Sequence, residues 1–140
     1  MTILLDTNVI SETTRQAPDA NVLRFLADIE HAFVSVLTIH ELHFGICRLP
    51  LGKRRTDLAT SVDRFLATFD DAVIDLDRAL ARCAGELRAD IQAKGRVLHL
   101  ADALIAATAL EHGLHIATRN VSDFVGLGLT VVNPWDPPNP

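Results

Sequence analysis

Ile3-Leu4-Leu5-Asp6-Thr7-Asn8-Val9-Ile10 opens the chain with an aliphatic run that stops abruptly on an acid. Consecutive aliphatic residues without polar interruption suit a strand buried on both faces, as strands of a parallel sheet are. In open parallel α/β sheets, ligands collect beyond the carboxyl ends of the strands, so Asp6 occupies a candidate functional position. The simpler reading is that Asp6 or Thr7 caps a short helix beginning near Asn8. The choice turns on whether other carboxylates arrive at comparable places.

Downstream, the chain alternates between the helical and the strand period. Asp19 to Glu30 sets Val22, Leu23, Leu26 and Ile29 on one helical face, with Asp19 as the cap. Ala32-Phe33-Val34-Ser35-Val36 reads as a second strand, and a helix follows from Thr38 to about Leu49, where Pro50-Leu51-Gly52 breaks it. Another helix is predicted over Lys53 to Phe69, a third strand over Ala72 to Leu76, and a helix from Asp77 to Ala93. Leu98 to His112 is apolar almost all round and closes on Gly113; His115 to Thr118 and Leu129 to Val132 supply the last strands. Strands separated by helices imply parallel pairing in an α/β/α three-layer sandwich around a central, mostly parallel five-stranded sheet.

The 140 residues fit a single domain, 1–140, with a proline-rich tail at 134–140. A hydrophobic share of 49% and a charged share of 22% are those of a folded globular protein. The net charge of −5 argues against holding nucleic acid by bulk electrostatics, although metal ions offset a local acidic site. Asp6 interrupts what would be the apolar region of a signal peptide, and no apolar stretch reaches membrane-spanning length, which predicts a cytoplasmic location without membrane contact. Cys47 and Cys83 have no metal-like spacing and read as small buried hydrophobes.

Glu41 and Asp123 each follow a predicted strand within a few residues, and Asp102 opens the helix leading into another. Asp102 is the lone charge in Leu100-Ala101-Asp102-Ala103-Leu104-Ile105-Ala106-Ala107-Thr108-Ala109-Leu110, and a buried carboxylate needs a partner. A helix dipole contributes only about 0.3–1 kcal/mol, too little to account for it. Asp123 follows the fourth strand in Thr118-Arg119-Asn120-Val121-Ser122-Asp123-Phe124, where a turn built on Asn120, Ser122 and Asp123 is the plainer reading. Glu41 completes a capping-box pattern with Thr38. His40-Glu41-Leu42-His43 superficially resembles a zinc-protease helix, but that motif needs its second histidine where Phe44 stands. The remaining histidines, His31, His99, His112 and His115, show no ligand spacing and read as surface or boundary residues.

Each acid has a structural explanation alone; together they gather at one edge of a parallel sheet. Two carboxylates about 4 Å apart repel by about 4 kcal/mol at an effective dielectric of 20, and a divalent cation removes that penalty. An all-oxygen donor set suits Mg²⁺ or Mn²⁺ and not zinc. Such ions bind water and phosphate, which points to hydrolysis of a phosphodiester.

Leu4-Leu5-Asp6-Thr7-Asn8, Glu41-Leu42 with Gly45, Leu100-Ala101-Asp102 through Ile105-Ala106-Ala107-Thr108-Ala109, and Thr118-Arg119-Asn120 through Asp123-Phe124 resemble the PIN-domain family. Val132-Asn133-Pro134-Trp135 and the Ala-Ala-Thr-Ala helix are similar, more narrowly, to the VapC toxins of its FitB-like branch. The resemblance spans nearly the whole chain in order. It implies a Mg²⁺-dependent ribonuclease toxin, with Mn²⁺ as a substitute, held inactive by a cognate VapB-type antitoxin. The family's acids map onto Asp6, Glu41, Asp102 and Asp123 as catalytic and metal-holding residues, Asp6 and Asp102 the firmest ligands, Glu41 and Asp123 completing the pocket. Thr118 and Asn120 map onto its small polar position, with Asn120 expected to hydrogen-bond Asp6 and Thr7 expected to support the ligands. A homodimer, a basic antitoxin residue entering the acid pocket, and contact with operator DNA only through the antitoxin are also implied.

Arg15, Arg48, Lys53, Arg54, Arg55, Lys94, Arg96 and Arg119 are candidate RNA guides, against the alternative of ordinary solvated helix surface. Six Phe, one Trp and no Tyr leave few groups for base stacking, which favours recognition of RNA by shape. Two other readings stay open at this level. In one, the fold acts mainly within an antitoxin complex on operator DNA, with little nuclease activity; in the other, the acids are caps of a structural or metabolic domain.

Overall fold

The computed structural model of the protein describes residues 1–139. Its strands are β1 (Thr2–Leu5), β2 (His31–Ser35), β3 (Val73–Ile74), β4 (His115–Ala117) and β5 (Val131–Val132), in the order β3-β2-β1-β4-β5. Every pairing is parallel. The helices are α1 (Thr7–Thr13), α2 (Ala20–Asp28), α3 (Val36–Cys47), α4 (Lys53–Ala67), α5 (Arg78–Ala93) and α6 (Leu100–His112).

The aliphatic opening run takes the centre of the sheet. Successive strand residues point to opposite faces, so Leu4 joins Leu80, Ala84, Ile105, Ala106 and Ile116 beneath α5 and α6, while Ile3 and Leu5 join Val9, Ile10, Val22, Leu42 and Ala117 beneath the other helices. Ile3, Leu4 and Leu5 are all fully buried, as the run of aliphatic residues predicts. Cutting such a side chain back to alanine costs about 2–5 kcal/mol. The helix–sheet–helix layering is therefore the direct result of burying both faces of β1.

Strand order creates the site. Before β3 the chain builds outward on one side of β1, then crosses by α5 and α6 to place β4 on the other side. The reversal opens a crevice between the carboxyl ends of β1 and β4. Register aims the next residues into it: Leu5 lies opposite Ala117, and the Asp6 N–H donates to the Ala117 carbonyl at 3.0 Å.

Several expectations shift. β2 stops at Ser35, whose hydroxyl accepts from the Leu37 N–H at 3.1 Å and caps α3. The capping box on Thr38 is not formed; Thr38 lies inside the first turn, buried, with its hydroxyl unpartnered. The third strand contracts to Val73–Ile74, because Asp70–Ala72 forms a 3-10 turn and Asp75 and Leu76 are exposed. The last strand likewise contracts to Val131–Val132. Cys47 is exposed and Cys83 only partly buried, contrary to their reading as buried hydrophobes. Ile46 takes the inward position at the end of α3 and leaves its neighbour Cys47 facing out. His40 and His43 are also exposed. Of the proline-rich tail, Pro140 lies outside the described residues. Among the described residues, no helix is long and apolar enough to cross a membrane.

Candidate active site

Asp6 takes the cap position of its simpler reading and also faces the crevice beyond the strand ends. It is the N-cap of α1, with Oδ1 accepting from the Thr7 N–H at 2.8 Å, while Oδ2 accepts from the Thr118 hydroxyl at 2.8 Å across the β1–β4 crevice. Thr118 is fully buried, and its oxygen also accepts from Asn8 Nδ2 at 3.2 Å and from the Asn120 N–H at 3.1 Å. A hydroxyl has one donor and two acceptor sites, and all are occupied here. The bond expected from Asn120 to Asp6 thus belongs to Thr118. Register places Thr118 directly beyond Ala117, opposite Asp6, whereas Asn120 lies farther along the chain and reaches the carboxylate only through the threonine.

Thr7 connects the next acid. Its hydroxyl donates to Glu41 Oε2 at 2.8 Å, so the carboxylate offered to a capping box is drawn to α1 instead. Asp102 enters from the first turn of α6. It is partly exposed, not enclosed as the apolar run suggests, because Ala103, Ile105, Ala106 and Ala107 take the core-facing positions. Asp123, in the 3-10 turn Val121–Phe124, is exposed.

Asp6, Glu41 and Asp102 line one cavity of about 480 Å³; Asp123 stands outside its lining and is felt through its charge. Burial pushes the Asp102 carboxyl up to about 6, reinforced by repulsion from Asp123, Asp6 and Glu41 and opposed by His99. Burial also raises Asp6 above the ordinary carboxylate value, with its hydrogen bonds from Thr118 and Thr7 opposing and the charge of Asp123 adding. Asp6 and Asp102 both meet repulsion from neighbouring acids, a conflict that a cation resolves.

The donor set fits a hard divalent ion. The cavity presents carboxylate, hydroxyl and amide oxygens and no imidazole or thiolate. Among the described residues, no group of three or more His, Cys, Asp or Glu is arranged to hold a metal ion. An ion such as Mg²⁺ keeps several of its waters and takes one or two carboxylates directly. The cavity has room for them, since a water occupies about 30 Å³.

Sequence reasoning overlooked part of the wall. Asn8, Ser11 and Glu12 line the cavity from α1, beside Arg15, already a basic candidate, just beyond the helix. Glu12 is 5% exposed, accepts from the Asp19 N–H at 3.0 Å and pairs with Arg15 at 3.3 Å. Their helical spacing forms a polar stripe immediately after Asp6, a signal that periodicity alone reveals. Trp135 also lines the cavity, and no local pattern announces it. Of the basic candidates, Arg15 and Arg119 reach this wall. Lys53 instead pairs with Asp57, Arg55 bonds the Leu49 carbonyl, Arg96 bonds the Val125 carbonyl, and Arg48 lies over Phe44.

Fold and cavity together define an α/β protein with an acid-lined cleft at the switch point of its sheet, an arrangement suited to a divalent cation. Residues 3–124 match the PIN domain, and the chain belongs to the PIN-domain family. It is 40% identical over 138 residues to VapC ribonuclease Y4jK of Sinorhizobium fredii, covering 96% of this chain and 99% of that one. Toxin FitB of Neisseria gonorrhoeae is 35% identical over 136 residues, covering 95% and 98% of the two chains. A chain in the structure of FitAB bound to an IR36 DNA fragment matches with a TM-score of 0.92 at 31% identity, covering 99% of each chain.

Proposed function

We propose that this protein is a Mg²⁺-dependent endoribonuclease toxin, with Mn²⁺ as a substitute ion, that hydrolyses RNA phosphodiester bonds and is neutralised by a cognate VapB-type antitoxin. The observation that carries this reading is the convergence of Asp6, Glu41 and Asp102 on one cavity, with Asp102 raised to about 6 by burial and by its acidic neighbours. Similarity to the VapC ribonuclease and the FitB toxin supports it. Catalytic and metal-holding roles fall to Asp6, Glu41, Asp102 and Asp123; Thr7, Thr118 and Asn120 support them.

Asp6 and Asp102 would hold the ion, and Glu41 and Asp123 would act through its waters. When bound, Mg²⁺ supplies a water of lowered pKa and a counter-charge for the leaving oxygen. The chain's own residues prepare that chemistry. Thr118 and the Thr7 N–H fix both oxygens of Asp6 in place. Glu41, steadied by Thr7, retains acceptor capacity for a water proton. Arg15 and Arg119, at the wall, attract phosphate into an otherwise acidic cavity.

The full chain works as one cytoplasmic domain, as a homodimer, and meets operator DNA through the antitoxin. The solved complex of FitAB with DNA supports that last point by analogy. Incubation of the partner-free protein with labelled structured RNAs in Mg²⁺, in EDTA, and as Asp102→Asn tests the reading. Cleavage should require Mg²⁺ and fall by about a hundredfold or more in the folded variant. Equal cleavage by wild type and Asp102→Asn places the activity elsewhere.

A further inference from the structure

Arg119 and Trp135 meet on the wall of the acid cavity. The Arg119 guanidinium carbon lies 5.0 Å from the centroid of the Trp135 ring, and both residues line the space that holds Asp6, Glu41 and Asp102. Their main chains are tied down from different parts of the fold. The Arg119 N–H donates to Asn8 Oδ1 at 3.3 Å. The Trp135 N–H donates to Asn133 Oδ1 at 3.0 Å, and its carbonyl accepts from Asn21 Nδ2 at 3.0 Å. The anchors are main-chain ones, which leaves the side chains of an exposed arginine and a half-buried tryptophan to shape the wall.

The carboxylates leave the binding of RNA with a difficulty. A chain of net charge −5, with only Arg15 and Arg119 to offset the acids of its cleft, holds little RNA backbone by charge. Stacking of bases on aromatic and guanidinium surfaces is independent of that charge balance. Trp135 is the chain's one tryptophan, there is no tyrosine, and no other aromatic residue lines the cavity among the described residues.

We propose that Arg119 and Trp135 form a stacking platform for an unpaired nucleobase next to the phosphate bound among the carboxylates. This rests on the ribonuclease reading and gives it a specificity element: a base must leave its own stack to occupy the platform, so nucleotides in loops are accepted and those in a duplex are refused. Arg119 also brings positive charge to the mouth of an acidic site. A purely structural pair, tacking the C-terminal segment to the loop after β4, would not distinguish a base from its absence.

Because Trp135 is the sole tryptophan, its fluorescence reports the platform directly. The wild-type protein is titrated, in Ca²⁺ in place of Mg²⁺ and with excitation at the red edge of the indole band, with a short oligoadenylate and with an abasic oligonucleotide of the same length and charge. Oligoadenylate should quench saturably and bind about fivefold or more tighter than the abasic chain. Arg119→Lys, which keeps the charge and loses the plane, should reduce that discrimination severalfold and raise KM with little change in kcat. Trp135→Leu, read by anisotropy of labelled oligonucleotides, should abolish the discrimination; if it does not fold, the Arg119→Lys arm decides alone. Equal quenching by both oligonucleotides, or full discrimination in Arg119→Lys, overturns the platform. Mg²⁺-dependent cleavage alongside equal quenching rejects the platform and leaves the nuclease, whereas base-dependent quenching by a protein that cuts no RNA upholds the platform and removes the nuclease.

Discussion

Asp102 carries the sharpest electrostatic consequence of any single residue. Its carboxyl moves from the ordinary 3.8 to about 6 on folding, chiefly by burial. Below the lower value both states hold the proton and the shift has no effect. As pH rises from there through about 6, the unfolded chain ionises first and the folded state loses relative stability; above that range the loss is complete. In EDTA near neutral pH, Asp102→Asn should therefore melt above wild type, and the gap should close on acidification through this window. Asp102 is partly exposed, so screening limits the difference to about 1 kcal/mol, roughly 4 °C in Tm. On the proposed function protons and Mg²⁺ compete for the Asp102 carboxylate, and calorimetry should find Mg²⁺ affinity falling about tenfold per pH unit below pH ~6; a flat profile would dissociate the ion from Asp102. Thr118 gives a second test. Thr118→Val deprives Asp6 of a donor and Asn8 and the Asn120 N–H of an acceptor, and should cost about 1–3 kcal/mol in urea unfolding while weakening Mg²⁺ binding. Thr118→Ser should retain most of both. Asp6, Glu41 and Asp123 were legible because each follows a strand, and Asp102 because it is the lone charge in an apolar helix; the choice of Thr118 over Asn120 as the donor depends on register, which no local pattern encodes.

At the level of elements, α3 shows how a correct motif can be misplaced. Thr38-Ile39-His40-Glu41 has the residues of a capping box, yet β2 pairs with β3 only as far as Ser35 opposite Ile74, and the helix starts at Val36. Ser35 therefore caps, and Glu41 turns to Thr7. Ser35→Ala should cost about 1 kcal/mol in chemical denaturation. Thr38→Val, which replaces a buried unpartnered hydroxyl with a methyl group, should be neutral or stabilise by up to about 1 kcal/mol. A loss above that at Thr38 would restore the capping box. α6 follows its reading in part: its apolar run buries Ala103, Ile105, Ala106, Ala107 and Ala109 and it ends on Gly113 with φ 64° in the left-handed region, but it starts at Leu100 and leaves Leu100 and Leu110 exposed. Short edge strands were the least legible elements, since Val73–Ile74 and Val131–Val132 owe their limits to pairing partners.

Across the whole molecule, the proposed function links folding to the ion. On that reading the acids held together by the fold bind a cation that the unfolded chain does not, so Mg²⁺ at a hundredfold excess over its Kd should stabilise wild type by about 2.7 kcal/mol. Thermal unfolding with and without Mg²⁺ measures this, and Asp102→Asn should show a much smaller gain. An equal gain in the variant would mean that the ion binds outside the cavity.

The sequence by itself determined the layered α/β architecture, because the periods of its apolar residues dictate which elements form and which faces must be buried. It also singled out the candidate acids, since Asp6 at the close of an apolar run and Asp102 as the lone charge of another are local properties. Tertiary structure alone decided the strand order that makes β1 and β4 neighbours, the register that sets Thr118 against Asp6, and the return of the C-terminal segment that brings Trp135 beside Arg119. Those outcomes depend on contacts between residues distant in sequence, whose energies no local window of the chain contains.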